Sequence, residues 1–196
     1  MTDLPARPWF PVRTERLLLR ELREADFDDV HAYAIDPEVV RYMDWGPNTL
    51  EVTREVLDRW LKEQQTWPRG HVNLAVELVE EARVIGSIRL SLQERGNADF
   101  GYSYHSAYWR KGYGYEAAEA IVRVAFEELG LHRVWATCDV RNAGSYAIME
   151  KLGMRREGTL RRNQQVRDGW RDTHLYAILA SEWAARQANS GAVSAD

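Results

Sequence analysis

Trp109-Arg110-Lys111-Gly112-Tyr113-Gly114-Tyr115-Glu116 concentrates the residue types suited to holding an anion. Two glycines, one residue apart, let the backbone turn tightly and leave amide N–H groups uncovered by side chains. The stretch feeds a helix-like segment whose first amides have no intrahelical acceptor and whose dipole makes that end partly positive. Arg110 and Lys111 add mobile positive charge. Such a loop suits a phosphate or pyrophosphate. Read as geometry alone, the same glycines serve a plain strand-to-helix turn, and a short glycine motif does not separate the two. The loop has neither the Lys-Ser/Thr of a P-loop nor a full G-x-G-x-x-G, which argues against an ordinary nucleotide-binding α/β protein.

Other chemistries find less support. His31, His71, His105, His132 and His174 show no metal-ligand spacing with one another or with Cys138, so no metal is expected. Cys138 is the single cysteine, so no disulfide forms within the chain, and a reducing, cytoplasmic setting is expected. A net charge of −4 excludes a general nucleic-acid binder, with Arg155–Arg156 and Arg161–Arg162 as local exceptions. No run approaches ~18 apolar residues and the N-terminus has no signal pattern, so no membrane partner is expected.

The elements that must position the loop follow from periodicity. Residues 1–11 carry three prolines and read as an irregular arm. Strands are expected at 14–22, 72–78, 84–92, 99–105, 134–140, 154–160 and 173–179, from alternation of apolar and polar residues. Asp26 is placed to cap a helix over 27–34. Asn48-Thr49-Leu50-Glu51 looks like a capping box with Asn48 at the cap, opening a helix whose face carries Leu50, Thr53, Leu57, Trp60, Leu61 and Gln64. Ala118, Ile121, Val122, Ala125 and Leu129 stripe the helix after the glycine loop, ended by Gly130. Asn142 caps a short helix through Leu152. Gly101 within its strand points to a bulge or a close backbone approach. Residues 186–196 are small and polar and read as a tail. Strands and helices in this order give a mixed α/β (α+β) sheet with helices on both faces.

Three segments, in this order, carry a resemblance. Tyr108 to Gly114 resembles the acetyl-CoA pyrophosphate loop of the GNAT superfamily of N-acetyltransferases. Asn142-Ala143-Gly144-Ser145 through Glu150-Lys151-Leu152-Gly153-Met154 resembles its Asn-x-x-Ser…Glu-Lys-x-Gly-Phe segment. Thr14 to Arg20 resembles the opening strand of its Rim-type branch, the ribosomal-protein N-terminal acetyltransferases. The likeness covers residues 12–183 as one domain.

The resemblance implies a largely antiparallel sheet of about seven strands, splayed between the fourth and fifth. It implies acetyl-CoA as donor cosubstrate, its pantetheine arm along Tyr102, Ser103, Tyr104 and His105. Its pyrophosphate would lie on the amides of Arg110, Lys111, Gly112, Tyr113, Gly114 and Tyr115. Asn142 reaches toward the cofactor in the family, and as a plain residue reading it is an N-cap. Lys151 is either near the nucleotide phosphates or a solvated helix end. The reaction implied is direct attack of a primary amine, from a protein N-terminus or a small molecule, on the thioester.

The departures matter. The proton-donating tyrosine that many members place seven residues after the Asn is here Met149. Ser145 takes its place as expected donor to the sulfur, and Asp99 matches a position where the family often carries a base. A glutamate that some Rim-type enzymes use before the last hairpin turn is absent from Asn163-Gln164-Gln165. Glu21 and Glu77 are further carboxylates of unassigned direction, and Cys138 is expected in the core. Trp45, with Tyr42 and Trp67, is expected to wall the acceptor pocket beside the helix from Leu50. These gaps keep open a non-catalytic acyl-CoA-binding domain. The aromatic content is compatible with a homodimer.

Overall fold

The computed structural model describes residues 8–167 and 169–193. Eight strands run through them: β1 (Val12–Arg13), β2 (Leu17–Arg20), β3 (His71–Leu78), β4 (Arg83–Gln93), β5 (Asn97–Tyr104), β6 (Arg133–Asp139), β7 (Arg155–Val166) and β8 (Gly169–Leu179). Six helices accompany them: α1 (Phe27–Ala34), α2 (Pro37–Val40), α3 (Leu50–Glu63), α4 (Tyr113–Arg123), α5 (Ala143–Lys151) and α6 (Ala180–Val193). The strands form one sheet in the order β1-β2-β3-β4-β5-β6-β8-β7. All neighbours are antiparallel except β5 and β6. That exception follows from chain economy, because α4 is the crossover that returns the chain to the same end of the sheet.

The parallel pair is brief. Asn97, Ala98 and Asp99 face Arg133, Val134 and Trp135, and pairing stops there. Beyond it β5 and β6 part, which is the expected splay. The alternation explains the layers. Ala98, Phe100 and Tyr104 of β5 join Leu74, Val76, Ile88 and Leu90 in a core covered by Ala117, Ile121 and Val122 of α4, with Met149 and Leu152 of α5. The opposite face packs Ala75 and Val84 under Val30 and Tyr33 of α1 and Leu57 of α3.

Several boundaries move. The first strand divides, leaving Thr14 to Arg16 outside the ladder for other partners. The cap of α3 is Thr49, not Asn48; its Oγ1 accepts the Val52 N–H at 3.3 Å. On α3, Thr53 and Leu57 are buried, but Leu50 is exposed at the helix entry. The last two strands run longer than apolar alternation indicates, because Gln164 to Val166 pair with Gly169 to Arg171 across a polar hairpin tip, where Arg171 also bonds Gln164. Residues 186–193, read from sequence as a tail, continue α6, which Trp183 anchors in the core. Residues 1–7 and 194–196 lie outside the described residues, whereas Trp9 of the arm is buried edge-on to Phe10. No helix among the described residues is long and apolar enough to cross a membrane.

Candidate active site

The splay opens into a cleft of about 590 Å³. One wall is β5 (Phe100 to Ser103), the facing wall β6 (Ala136 to Asp139), with Asn142, Ser145 and Met149 of α5 at one side. The His105 N–H bonds Ile85 O of β4 at 2.9 Å. Antiparallel alternation therefore turns the backbone groups of Ser103 and Gly101 toward β4, and those of Tyr102 and Tyr104 into the gap. Of the four residues expected along the donor's arm, Tyr102 and Tyr104 present their peptide groups there. His105 is turned elsewhere: its amide goes to β4 and its Nδ1 accepts the Ala107 N–H at 3.2 Å. The Tyr104 carbonyl is taken by Trp109 Nε1 at 2.8 Å, which ties the start of the glycine loop to the strand.

The loop enters α4 as its composition requires. Gly112 is the N-cap at φ 86°, a left-handed conformation that favours glycine, and Arg110 also has positive φ at 61°. The first intrahelical bond is Glu116 N–H to Gly112 O at 3.0 Å, so the amides of Tyr113, Gly114 and Tyr115 precede the ladder. A Cβ on Gly114 would come within 3.0 Å of Ile148 Cδ1 and 3.3 Å of Tyr104 Cε2, so glycine is needed for α4, α5 and β5 to close together. Arg110, Lys111 and Gly112 are exposed. The Lys151 ammonium lies 4.1 Å from the Tyr115 ring centroid, against the first turn of α4.

A clamp that the sequence reading did not assign holds this turn. Glu116 accepts from Thr14 Oγ1 at 2.6 Å, Arg16 N at 2.9 Å and Arg16 Nε at 2.7 Å. Arg16 Nη1 also donates to Lys111 O at 3.0 Å, and its guanidinium stacks 4.5 Å from the Tyr113 centroid. Burial alone would push the Glu116 carboxyl up; the bonds from Thr14 and Arg16 outweigh it and hold it below its ordinary value. An acid in the first turn of a helix that faces an anion would repel it, and this pairing neutralises that acid.

At the inner end of the gap, Asn142 Oδ1 accepts the Ser145 N–H at 3.1 Å and caps α5. Asn142 thus caps the helix, a role compatible with reaching a ligand in the cleft that it lines. Ser145 Oγ lies 3.1 Å from Tyr102 Oη, which also reaches Ser145 O at 3.2 Å. Burial pushes the Tyr102 phenol well above its usual range, so it stays protonated and available as a donor. The side chain of Tyr102, expected only to contribute backbone, is a second hydroxyl beside Ser145. Burial likewise pushes the Cys138 thiol up to about 11, opposed by a bond with Ser145. Met149 is buried below them.

The far end of the cleft is built by the loop Tyr42 to Trp45, by Val52, Val56, Arg59 and Trp60 of α3, and by Asn73, Ser87 and Arg89 of the sheet face. Tyr42 and Trp45 wall it as expected. Trp67 does not; it packs against Phe10 with centroids 5.7 Å apart. Asp99 lies outside this lining, held by Arg89 Nη2 at 2.5 Å and Gln93 Nε2 at 2.9 Å. Gly101 makes neither the bulge nor the close backbone approach expected of it: the β4–β5 register runs through it unbroken, and a Cβ there would meet only the Arg89 side chain, at 3.4 Å. Glu21 pairs with Arg69, and Glu77 with Arg20, away from the cleft. The lining carboxylates are Asp139 and Asp44. Despite burial, three bonds from Arg141 hold Asp139 below its ordinary value. Asp44 is exposed and accepts Gln164 Nε2 at 2.7 Å. Among the described residues no group of histidines, cysteines and carboxylates is placed to hold a metal.

A family model described as an acetyltransferase (GNAT) domain matches residues 16–155. The uncharacterized N-acetyltransferase YnaD of Bacillus subtilis (strain 168) is 34% identical over 173 residues, 88% of this chain and 98% of its own length. The crystal structure of a GNAT-family acetyltransferase from Bacillus anthracis superposes with a TM-score of 0.77 at 34% identity, covering 87% of this chain and 98% of that one. The [ribosomal protein uS5]-alanine N-acetyltransferase of Escherichia coli (strain K12) is 28% identical over 107 residues, 53% of this chain and 55% of its own. Because the matched stretch runs from the Arg16 clamp through the splayed strands and the glycine loop to the end of α5, the chain belongs to the GNAT family of acetyltransferases.

Proposed function

We propose that this acetyltransferase takes its acetyl group from acetyl-CoA and delivers it to a primary amine by direct attack. The observation that carries the reading is the gap between β5 and β6, edged by free peptide groups of Tyr102 and leading to the amides of Tyr113 to Tyr115. A pantetheine arm is a chain of amides and suits such an edge as an added strand would. A pyrophosphate suits uncovered amides at a helix start, with Arg110 and Lys111 beside them. The protein's contribution to the chemistry is to orient and to move protons. The amine attacks the thioester carbon, the C–N bond forms, and the C–S bond breaks. The attacking amine, neutral when it attacks, gives one proton to water in the open cleft, and the leaving thiolate takes one from water. Ser145 Oγ, backed by Tyr102 Oη, supplies the hydrogen bond at the sulfur. Asp99 is left with holding Arg89 over Gly101. No covalent enzyme intermediate is required.

The test is release of free CoA thiol from acetyl-CoA with a panel of primary amines, alongside a thermal shift with acetyl-CoA. Binding without thiol release from any amine would favour a non-catalytic acyl-CoA-binding domain. Absence of binding would refute the donor assignment. The single buried cysteine supports a reducing, cytoplasmic setting. Exposed Trp170 and Leu160 on the β7–β8 hairpin support pairing of two copies, which sedimentation measures.

A further inference from the structure

The acceptor end of the cleft holds charge that the chain does not neutralise. Arg171, on β8, donates Nη1 to the Tyr42 carbonyl and Nη2 to Gln164 Oε1 at 2.5 Å, both neutral acceptors. Its Nε is buried and has no partner. Arg59, on the α3 wall, has no ion-pair partner among the described residues. The third lining arginine, Arg89, is already matched by Asp99. Arg59 is exposed, whereas Arg171 is half-buried with neutral hydrogen-bond partners, and a buried donor left unpaired on it is costly. The donor's phosphates do not answer this need, since no residue of the Trp109–Tyr115 loop lines the cleft.

Of the two lining carboxylates, Asp139 is already bonded by Arg141. Asp44 lines the same cleft and has no ion-pair partner among the described residues. The Gln164 amide bridges the two signs: its nitrogen donates to Asp44 and its oxygen accepts from Arg171. A cation and an anion are thereby displayed one amide apart. The cleft, about 590 Å³ and shared with the acyl end of the donor, is the size of a small-molecule site.

We propose that the acceptor is a small zwitterionic amine, an amino-acid-like molecule whose carboxylate is held by Arg171 and Arg59 and whose ammonium is received by Asp44. The inference rests on the acetyl-transfer reading above. An amino acid carries both charges within a few bonds, and Gln164 holds Arg171 and Asp44 one amide apart. Asp44 draws the ammonium in, and the proton leaves through the open mouth before attack. Arg171 lines the same cleft as Ser145 and Cys138, so a carboxylate bound to it shares that cleft with the acyl end of the donor.

The experiment compares matched acceptors with the full chain and acetyl-CoA, reading thiol release: free amino acids, their amides, the corresponding decarboxylated amines, and uncharged peptides with free N-termini. Amino acids are expected to show kcat/KM at least about tenfold above their amides and decarboxylated forms, the scale of one charged contact. Arg59→Ala, on an exposed helix face, should raise the KM for the amino acid roughly 10- to 100-fold with little change in kcat. Arg171→Gln should collapse the preference for the carboxylate; because Arg171 also touches the Tyr42 loop, Arg59→Ala provides the independent measurement. Equal rates on decarboxylated amines, or faster rates on peptides, overturn the proposal and leave acetyl transfer standing. Failure of every amine to release thiol removes the acetyl-transfer reading, and this one with it.

Discussion

Replacing Glu116 tests whether the opening segment of the chain builds the donor site. In Glu116→Ala three bonds disappear, from Thr14 Oγ1, Arg16 N and Arg16 Nε. A hydrogen bond to a charged group contributes about 1.5–3 kcal/mol, but not all of that is lost here. Thr14 Oγ1 retains Leu17 O as acceptor at 3.3 Å, and the Arg16 side chain, 41% exposed, regains water. The net cost is therefore about 2 kcal/mol, or a fall in Tm of about 4–8 °C for a chain of this size. Glu116→Gln keeps acceptors for Thr14 and the Arg16 amide and loses the ion pair, so about half that fall is expected. Slackening Arg16 also frees Lys111 O, so acetyl-CoA affinity should drop about tenfold in the alanine variant.

The sign of the pH dependence makes the test specific. The Glu116 carboxyl is held below its ordinary value in the folded chain. A depressed carboxyl contributes stability that is fully present above the unfolded value, about 4.3, and is lost as pH falls through the folded one. The gap in Tm between wild type and Glu116→Gln should thus be full at pH 7 and shrink steadily below about pH 4. Thermal unfolding from pH 7 to pH 3.5, with acetyl-CoA titrations at pH 7, measures both effects. A gap that is absent at pH 7, or unchanged at pH 3.5, would refute the clamp as the origin of the stabilisation.

Three further outcomes bear on the site. Ser145→Ala should lower kcat about 10- to 100-fold with acetyl-CoA affinity retained, and Tyr102→Phe should lower it less, because the phenol acts through Ser145; steady-state thiol release with acetyl-CoA binding separates the two effects. Gly112→Asp should abolish acetyl-CoA binding, since it places a carboxylate at the anion site and a side chain at φ 86°, while circular dichroism retains the native spectrum; unchanged affinity would remove the loop from the donor site. Cys138, 5% exposed with its thiol pushed up to about 11, should resist iodoacetamide at pH 7.5 and react faster as pH rises to 9, with no plateau; rapid labelling at neutral pH would contradict its placement in the cleft wall.

What could be read in the sequence was what repeats or punctuates. Alternation located the six longer strands, and glycines and caps located α4 and α5, because each of these signals is local. Long-range pairings left no such trace. Thr14 and Arg16 look like ordinary strand-start residues, and only the fold brings them to Glu116, 100 positions or more away in the chain. The tip of the β7–β8 hairpin is polar on both faces, so no period announced it, yet it carries Gln164 and Arg171 into the acceptor cleft. The same distinction separates the two substrates. In the proposed reading the donor is met by backbone groups that short motifs specify, at Tyr102 and at the start of α4. In the same reading the acceptor is met by side chains from α3, the Tyr42 loop and the hairpin, which converge on the cleft from three parts of the chain. If the acceptor is read as proposed, its identity can change through Arg59, Asp44 or Arg171 with no alteration to Tyr102 or the start of α4.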